Sequence, residues 1–306
     1  MKKLTSLQRI FLILIGLGLS HYSVAHPGRL NVEGCHNNRK TGEYHCHRAA
    51  EKASTTKRST PSVLLSEEDK QSIVPLTTGT EKANRQGDLI QLDYEGFTVW
   101  VDCAKRGPVK FRYTAQHDEG NSKRYDKFML DTKVPAECQQ ISAKAYGHGY
   151  DRGHQVPANH LDASEVAIKQ SNFMTNILPQ TSQMNRGAWL ETEEIVECYR
   201  DIDELLVIGG VVWGNNPADD FFLQSHGLET PDAFWKVIIR GTGQDERAIA
   251  WIVPNTSEAT RKNLDRYLVS IEELERVIRE KIPTADYVKH DKPSASWLIP
   301  MGCNKS

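Results

Sequence analysis

Alternating or continuous apolar positions from residue 87 onward predict a series of β-strands. Aromatic and β-branched residues are frequent in these segments, and turn residues such as Glu95-Gly96 separate them. One of them is a continuous apolar run of nine residues, which is typical of a buried strand. The segments predicted as strands are Leu89–Asp93, Phe97–Asp102, Val109–Thr114, Leu205–Trp213, Phe234–Arg240 and Ala248–Val253.

Helical periodicity is found in four segments between and after these strands. The strongest begins near Gln183 and runs to about Ile202, and the others are Ala163–Ser171, Ser257–Leu268 and Ile271–Lys281. Strands and helices do not alternate as in a regular βαβ protein. The pattern therefore favours an α+β domain with a central, largely antiparallel sheet flanked by helices.

The first 25 residues have the pattern of an export signal. Three basic residues precede an apolar run of about ten residues, Ile10–Leu19, which is short for a membrane span. Ser23-Val24-Ala25 matches a signal-peptidase site, so we expect cleavage before His26. The expected product is a periplasmic or secreted protein without stable membrane association, and the alternative is an uncleaved membrane anchor.

The rest of the chain divides by composition into three parts. Residues 26–48 are rich in His, Cys, Gly and Asn and lack apolar periodicity, which indicates a small module without a hydrophobic core. Residues 49–86 are rich in Ser, Thr, Lys and Glu and are interpreted as a linker, with one short helix near Ser66–Gln71. Residues 87–306 contain the predicted strands and helices and form the expected globular domain.

Composition and charge exclude some classes of protein. The chain has 39% apolar and 25% charged residues and a formal net charge of −2, which disfavours a disordered or multispanning chain. Residues 26–60 carry seven Lys or Arg against three Asp or Glu, whereas the part that follows is acidic. An acidic domain argues against a protein that coats nucleic acid by bulk electrostatics, but it is compatible with a local basic cleft.

The chain has six cysteines, and an even number favours disulfides in an exported protein. We predict that Cys103 pairs with Cys138, because they flank the strand region before residue 150. We also predict that Cys198 pairs with Cys303, which would tie the long helix to the C-terminal tail.

Three short segments combine the residue types that phosphodiester hydrolysis requires: Asp151-Arg152-Gly153-His154, Thr175–Gln180 and Met184–Trp189. A histidine such as His154 is suited to activate water because its ordinary pKa lies near neutrality. An amide oxygen such as that of Asn185 suits a hard cation such as Mg²⁺.

Further candidates lie beside these segments. Glu193 is about 80° around a regular helix from Asn185, where it would hold a metal-bound water. Arg152 and Arg186 are candidates for bidentate contacts to phosphates. Each residue also has an ordinary explanation when it is taken alone, since Asn185 is placed to cap a helix and Glu193 to form a surface charge. Only the combination indicates catalysis.

In combination, Asp151-Arg152-Gly153-His154, Asn176 and Asn185-Arg186-Gly187-Ala188-Trp189 with Glu193 resemble the DNA/RNA non-specific endonuclease family, whose members contain a ββα-metal finger. The resemblance covers roughly residue 89 to the C-terminus. It implies a β-hairpin followed by a helix that carries the site, and cleavage of DNA and RNA, single- or double-stranded, with 5′-phosphate ends.

The resemblance also implies roles for individual residues. His154 would be the general base, Asn185 the sole direct ligand of Mg²⁺ (or Mn²⁺), and Asn176 would position the catalytic groups. Glu193 matches the acidic residue that organises metal-bound waters. Arg124 stands at about the interval at which the family keeps a phosphate-stabilising arginine, but its surroundings match loosely, and Lys123 is the alternative.

Tyr44-His45-Cys46-His47 in the N-terminal module resembles a short bacterial module with a Tyr-His-Tyr-His-type signature. The density of His and Cys in residues 26–48 is compatible with a Zn²⁺ or Cu²⁺ site, and His26 would add an α-amine after cleavage. The alternative is a disulfide between Cys35 and Cys46 with histidines exposed to solvent.

The expected function is that of an exported, Mg²⁺-dependent endonuclease with little sequence preference. Two alternatives stay open at this point: a nucleic-acid-binding or scavenging protein with weak catalysis, and a metal-binding protein that acts through its N-terminal module. The sequence carries no signal for an oligomeric state or an inhibitor.

Overall fold

The computed structural model describes the backbone of residues 35–37 and 44–46, together with residues 89–214 and 217–303. The chain divides between Thr78 and Gly79 into two units. In the first unit, strands β1 (Cys35–Asn37) and β2 (Tyr44–Cys46) pair antiparallel, with Cys35 opposite Cys46. The export signal, most of the N-terminal module and the linker with its short helix lie outside the described residues, so these interpretations stay predictions.

The second unit is built on a seven-stranded antiparallel sheet and a separate two-stranded hairpin. The sheet has the order β11-β10-β9-β8-β5-β4-β3, and the hairpin is β6 with β7. The strands are β3 (Leu89–Tyr94), β4 (Phe97–Asp102), β5 (Gly107–Ala115), β6 (Tyr150–His154), β7 (Ile177–Thr181), β8 (Leu205–Trp213), β9 (Pro231–Arg240), β10 (Arg247–Pro254) and β11 (Leu268–Val269).

Helices lie around this sheet, so the predicted α+β class with a largely antiparallel sheet is confirmed. The α-helices of the described residues are α1 (Glu165–Ser171), α2 (Ser182–Met184), α3 (Leu190–Arg200), α4 (Leu223–His226), α5 (Ile271–Ile278) and α6 (Asp286–Lys289). None of the described helices is both long and apolar enough to span a membrane.

The sheet is buried on both faces because apolar residues of its central strands alternate between two cores. Val207 and Ile238 face a large core that also contains Trp189, whereas Ile208 and Val237 face a smaller core closed by α5. Burial on both faces explains why β8 has a continuous apolar sequence.

The predicted helix Ser257–Leu268 is wrong. Residues Arg261–Tyr267 form a 3-10 helix, and Leu268 begins the edge strand β11. The reason is that the carbonyl of Ala259 accepts the backbone N–H of Ala188 instead of joining a local α-helical ladder. This segment therefore forms a hydrogen bond with the stretch Asn185–Trp189 and does not pack as an amphipathic helix.

Both predicted disulfides of the second unit are present, Cys103–Cys138 and Cys198–Cys303. The first connects the turn after β4 to a 3-10 helix at Ala136–Cys138, and the second anchors the C-terminal tail to α3. Close packing of Trp297 on Tyr199 holds the same tail against α3, with ring centroids 5.1 Å apart.

Candidate active site

The hairpin β6–β7 and the helical segment that follows it hold the residues that the sequence singled out. In the hairpin, Asp151 lies opposite Gln180 and His154 lies opposite Ile177. Gly153 is required between them because a Cβ at this position would come within 2.3 Å of the Gln180 side chain. The ββα arrangement thus places the acid and the imidazole at opposite ends of one strand.

Asp151 organises the start of the helical segment. Its carboxylate accepts hydrogen bonds from Ser182 Oγ at 2.9 Å, from Asn185 Nδ2 at 3.0 Å, and from Arg186 Nε and Nη2, both at 2.8 Å. Partial burial tends to raise the pKa of Asp151, but these hydrogen bonds, led by that of Arg186, outweigh it and lower the pKa. Asp151 is therefore ionised at neutral pH, and its carboxylate can accept hydrogen bonds but cannot donate them.

The bond to Asp151 fixes which atom Asn185 offers to a ligand. A carboxylate has no hydrogen to donate, so it must face the amide nitrogen of Asn185, and the carbonyl oxygen Oδ1 is left to face away. An outward-facing carbonyl oxygen is a suitable ligand for a hard divalent cation.

The helix that carries Asn185 is interrupted, contrary to the continuous helix expected from Gln183 to Ile202. A wide π-type turn spans Asn185–Trp189, and Gly187 within it has φ −115° and ψ −106°. The angle of about 80° between Asn185 and Glu193 assumed a regular helix and does not apply here. Wide turns of this kind occur frequently at functional sites.

His154 is held by an asparagine that the sequence reasoning missed. Asn172 Nδ2 donates to the carbonyl of Tyr125, so Asn172 Oδ1 faces His154 Nε2 at 2.8 Å. Because this oxygen can only accept, Nε2 must carry the proton, and Nδ1 keeps a free lone pair. Asn172 follows the predicted helix at Ala163–Ser171, and nothing in the local pattern distinguishes it from a helix cap.

The environment keeps His154 neutral. Burial, reinforced by the charges of Arg124 and Arg152, lowers its pKa to about 4. The ring of Phe128 packs against it with centroids 5.5 Å apart, and the backbone carbonyl of His154 accepts from Trp189 Nε1 at 3.2 Å. A neutral imidazole with a free Nδ1 is the form that accepts a proton from water.

Asn176 lies entirely inside the protein and makes no outward contact. Its Oδ1 accepts from the backbone N–H of Val156, and its Nδ2 donates to the carbonyls of Val156 and Ser171. These bonds hold the chain just after His154, which is a positioning role.

Glu193 lies near a buried lysine that the sequence reasoning also missed. Burial raises the pKa of Glu193 to about 7, although the charges of Lys236 and Arg124 oppose that shift. Lys236 of β9 is fully buried, donates to Thr192 Oγ1 at 2.8 Å, and lies 3.8 Å from the ring centroid of Trp189. The sequence pattern that could have identified Lys236 is a lysine in the middle of the apolar run Phe234–Arg240.

The three candidate arginines differ in what they contact. Arg124 is exposed in a groove that also contains Lys123, and its charge reaches both His154 and Glu193. Arg152 donates to the carbonyl of Ala143 at 3.0 Å and packs on Phe128 at 3.9 Å.

Arg186 forms a bidentate pair with Asp151 through Nε and Nη2, and its side chain stays 72% exposed, so a phosphate contact of Arg186 stays a prediction. The pair helps to hold the start of the helical segment in place.

The described residues fit a single divalent cation rather than a cluster site. They contain no group of three or more His, Cys, Asp or Glu side chains arranged to hold a metal. They do present Asn185 Oδ1, which faces away from Asp151. They also present the carboxyl group of Glu193, whose pKa stays raised because the charges of Lys236 and Arg124 do not fully offset its burial. A cation beside Glu193 would favour its ionised form.

Comparisons with known proteins identify the family that this chain matches. The family model described as DNA/RNA non-specific endonuclease matches residues 76–291. A nuclease from Nostoc sp. is 30% identical over 168 residues, covering 51% of this chain and 59% of that protein. The human mitochondrial endonuclease G is 25% identical over 195 residues, covering 60% and 65% respectively.

The chain thus spans somewhat over half the length of these curated relatives. Among solved structures, an EndoG/EndoGI complex described in terms of EndoG inhibition matches with a TM-score of 0.51 and 20% identity. The match covers 61% of this chain and 82% of that one, and at this identity it supports the fold alone.

Proposed function

The chain belongs to the DNA/RNA non-specific endonuclease family, and from this premise we propose that it hydrolyses phosphodiester bonds inside DNA and RNA chains with little sequence preference. The observation that carries the proposal is the pair of hydrogen bonds that frees His154 Nδ1 and Asn185 Oδ1 on one ββα unit. One is a proton acceptor and the other a cation ligand, and phosphodiester hydrolysis needs both.

In the proposed reaction, His154 Nδ1 takes a proton from a water molecule as the water oxygen attacks phosphorus. The bond between phosphorus and the 3′-oxygen breaks, the leaving oxygen takes a proton from solvent water, and His154 then returns its proton to the solvent. The products are a 5′-phosphate and a 3′-hydroxyl. Arg124 is placed to offset negative charge near His154 and Glu193.

A divalent cation, Mg²⁺ or Mn²⁺, bound directly by Asn185 and through water by Glu193 would act as a Lewis acid toward the phosphate. Asp151 would keep the Asn185 oxygen aimed at the cation, as partners of a ligand commonly do. Asn176 supports the geometry around His154 from inside the protein, and the half-buried Arg152 packs on the Phe128 ring that contacts His154.

Low sequence preference follows from the kind of group that the site presents. The catalytic residues His154, Asn185 and Arg124 offer a base, a cation ligand and a charge to the phosphate, and none of them lies on an exposed recognition helix. Contacts to phosphates carry no direct information about base identity.

Export to the periplasm or the medium belongs to the same proposal. The disulfides Cys103–Cys138 and Cys198–Cys303 support it, because such bonds persist in oxidising compartments. A Zn²⁺ or Cu²⁺ site in the N-terminal module remains a separate prediction, tested by metal titration of the mature protein.

The experiment is nicking of supercoiled plasmid and degradation of RNA by the purified mature protein, with Mg²⁺ or with EDTA. We expect cleavage only with the cation, at many positions on a mapped duplex, and a loss of about two to four orders of magnitude in turnover for His154→Ala. Asn185→Ala should lose the response to Mg²⁺.

An exposed residue outside the site, His117→Ala, serves as the control for loss of a histidine. Cleavage that is insensitive to EDTA, or wild-type turnover in His154→Ala, would contradict the proposed mechanism. A protein that binds nucleic acid without cutting it would support the scavenging alternative.

A further inference from the structure

An exposed aromatic stack lies beside the catalytic hairpin and has no part in the mechanism above. The ring of His148 lies on the ring of Phe221, with centroids 4.9 Å apart and planes only 9° from parallel. Both side chains are exposed, and Phe221 retains 47% of its accessible surface. In the part of the chain that the structure describes, the other aromatic contact of His148 is at an edge, with Phe222 at 6.2 Å.

The backbone that presents His148 is strained. His148 has φ +53°, between Gly147 at +78° and Gly149 at +81°. A Cβ at either glycine would meet nothing within 4 Å, so the glycines serve the left-handed conformation rather than close packing. A non-glycine residue in this region is unfavourable, and such strain is often stored at functional sites.

This loop is tied directly to the residues that would hold the cation. The carbonyl of Gly149 accepts from the backbone N–H of Ser182 at 2.8 Å. Ser182 in turn donates to Asp151, which orients Asn185. His148 is six residues from His154, or at most about 20 Å of chain, so a substrate strand at the scissile position reaches it within roughly six nucleotides.

The surroundings of the stack favour a base over a phosphate. Tyr150 lies beside the stack, with its ring 6.1 Å from that of Phe221. Burial raises the pKa of Tyr150, and the negative charge of nearby Asp219 raises it further. A carboxylate in this position repels a phosphate but not the face of an uncharged nucleobase. A flat, exposed ring that is backed by a second ring is the type of platform on which single-stranded nucleic acids stack their bases.

We propose that the outer face of His148, backed by Phe221, is a stacking subsite for an unpaired nucleobase of the substrate, within roughly six nucleotides of the scissile phosphate. The proposal rests on the proposed nuclease function and adds a preference to it: single-stranded DNA and RNA bind more tightly than duplexes, because bases in a duplex are already stacked. The subsite is insensitive to sequence, since every base has a π-face.

The test compares His148→Asn with the wild-type protein on a single-stranded oligonucleotide and on a duplex of the same sequence. Asparagine tolerates the left-handed conformation, so the backbone should be retained while the ring is lost. We expect KM for the single strand to rise by about 5- to 100-fold, the range for loss of one base–aromatic stack. We expect kcat and the duplex KM to change by less than about twofold and Tm not to fall.

Two further variants separate stacking from other roles. His148→Phe keeps a ring without an imidazole and should retain the single-strand KM, whereas His117→Ala removes an exposed histidine elsewhere and should change neither KM. An unchanged single-strand KM in His148→Asn, an equal rise for the duplex, or an equal loss in His148→Phe would each overturn the subsite. If the wild-type protein cleaves neither substrate, the proposed function itself fails and the subsite with it.

Discussion

At the scale of single residues, the site is determined by which atom each polar side chain is forced to present. Asp151 accepts a hydrogen bond from the amide nitrogen of Asn185, and Asn172 accepts one from the N–H of His154, so that Asn185 Oδ1 and His154 Nδ1 are left for the proposed reaction. These constraints follow from donor and acceptor chemistry alone, because a carboxylate and an amide oxygen can only accept. They also indicate which substitutions should alter chemistry without unfolding the protein.

Replacing Asp151 with Asn should release the amide of Asn185 while preserving the volume of the side chain. The Mg²⁺ concentration for half-maximal cleavage should rise by about 10- to 100-fold, the usual effect of losing a partner that orients a metal ligand. Calorimetric titration with Mg²⁺ should show the same loss. Ser182→Ala removes only one of the bonds to Asp151 and should change the titration much less; equal effects of the two variants would refute this role.

The pH profile should show that His154 stays neutral well below the ordinary histidine range. Its pKa of about 4 keeps Nδ1 available, so the acid limb of kcat/KM attributable to His154 should lie below 6.5. Glu193, with a pKa of about 7, titrates near neutrality without the cation. The profile of Glu193→Gln at saturating Mg²⁺ therefore isolates His154, and an acid limb at or above 6.5 in this variant would contradict the assignment.

The same shift has a consequence for stability. Because the folded pKa of His154 is depressed, the unfolded chain takes up the proton first as the pH falls. The contribution of neutral His154 is fully present above about pH 6.5 and is lost as the pH falls through about 4.

At the scale of elements, the sequence predicted the sheet far better than the segments that hold the site. Leu205–Trp213 is a strand with the predicted bounds, because burial on both faces leaves an unambiguous apolar run. The strands Tyr150–His154 and Ile177–Thr181 had no such pattern, and only the resemblance to the family implied a hairpin there. The residues of these two strands make specific contacts with other segments, and apolar and polar residues do not alternate along them.

The same limit applies to the catalytic residues. His154, Asn176 and Asn185 stand in a recognisable motif, so the sequence was sufficient to predict roles for them. Asn172 and Lys236 act through partners that are distant in sequence, Tyr125 and Thr192. No local pattern distinguishes Asn172, and the lysine in the apolar run Phe234–Arg240 does not by itself indicate its partner. Tertiary contacts decide their roles.

The wide turn at Asn185–Trp189 should depend on Gly187. A Cβ there would come within 2.9 Å of the Ala259 carbonyl oxygen and 3.0 Å of Thr260 Cα, and both are backbone atoms that cannot move without shifting the chain. Gly187→Ala should lower the free energy of unfolding by roughly 1–3 kcal/mol and reduce kcat, because Asn185 shifts with the turn. Denaturant melts and cleavage rates measure both effects.

Gly243→Ala is the matched control, because Gly243 has φ +60° but open space around its Cβ position. It should lower stability by about 1 kcal/mol through its backbone alone and leave kcat unchanged. Equal loss of kcat in the two variants would show that the wide turn has no special role.

At the scale of the whole molecule, covalent links add to a core that lies on both faces of the sheet. Cys198–Cys303 ties the C-terminal tail to α3, the helix that also carries Glu193, while Cys103–Cys138 closes a local loop beside the first strands. The sequence indicated both pairs because the tail had no other obvious anchor and the first pair flanks the strands. The structure adds noncovalent contacts of the same tail, among them Trp251 Nε1 to Ser296 Oγ at 3.1 Å.

The two disulfides should differ in their contribution to stability because they close loops of different length, with sequence separations of 105 and 35 residues. In the chain-entropy model each contributes roughly 2–5 kcal/mol, and the longer loop contributes about 1 kcal/mol more, since the entropy scales with the logarithm of loop length. Replacing both cysteines of a pair with serine avoids unpaired thiols, and denaturant melts under non-reducing conditions give the two free energies of unfolding. Removal of Cys198 and Cys303 should lower stability more than removal of Cys103 and Cys138. A reversed order would mean that strain or residual unfolded structure outweighs loop entropy in this protein.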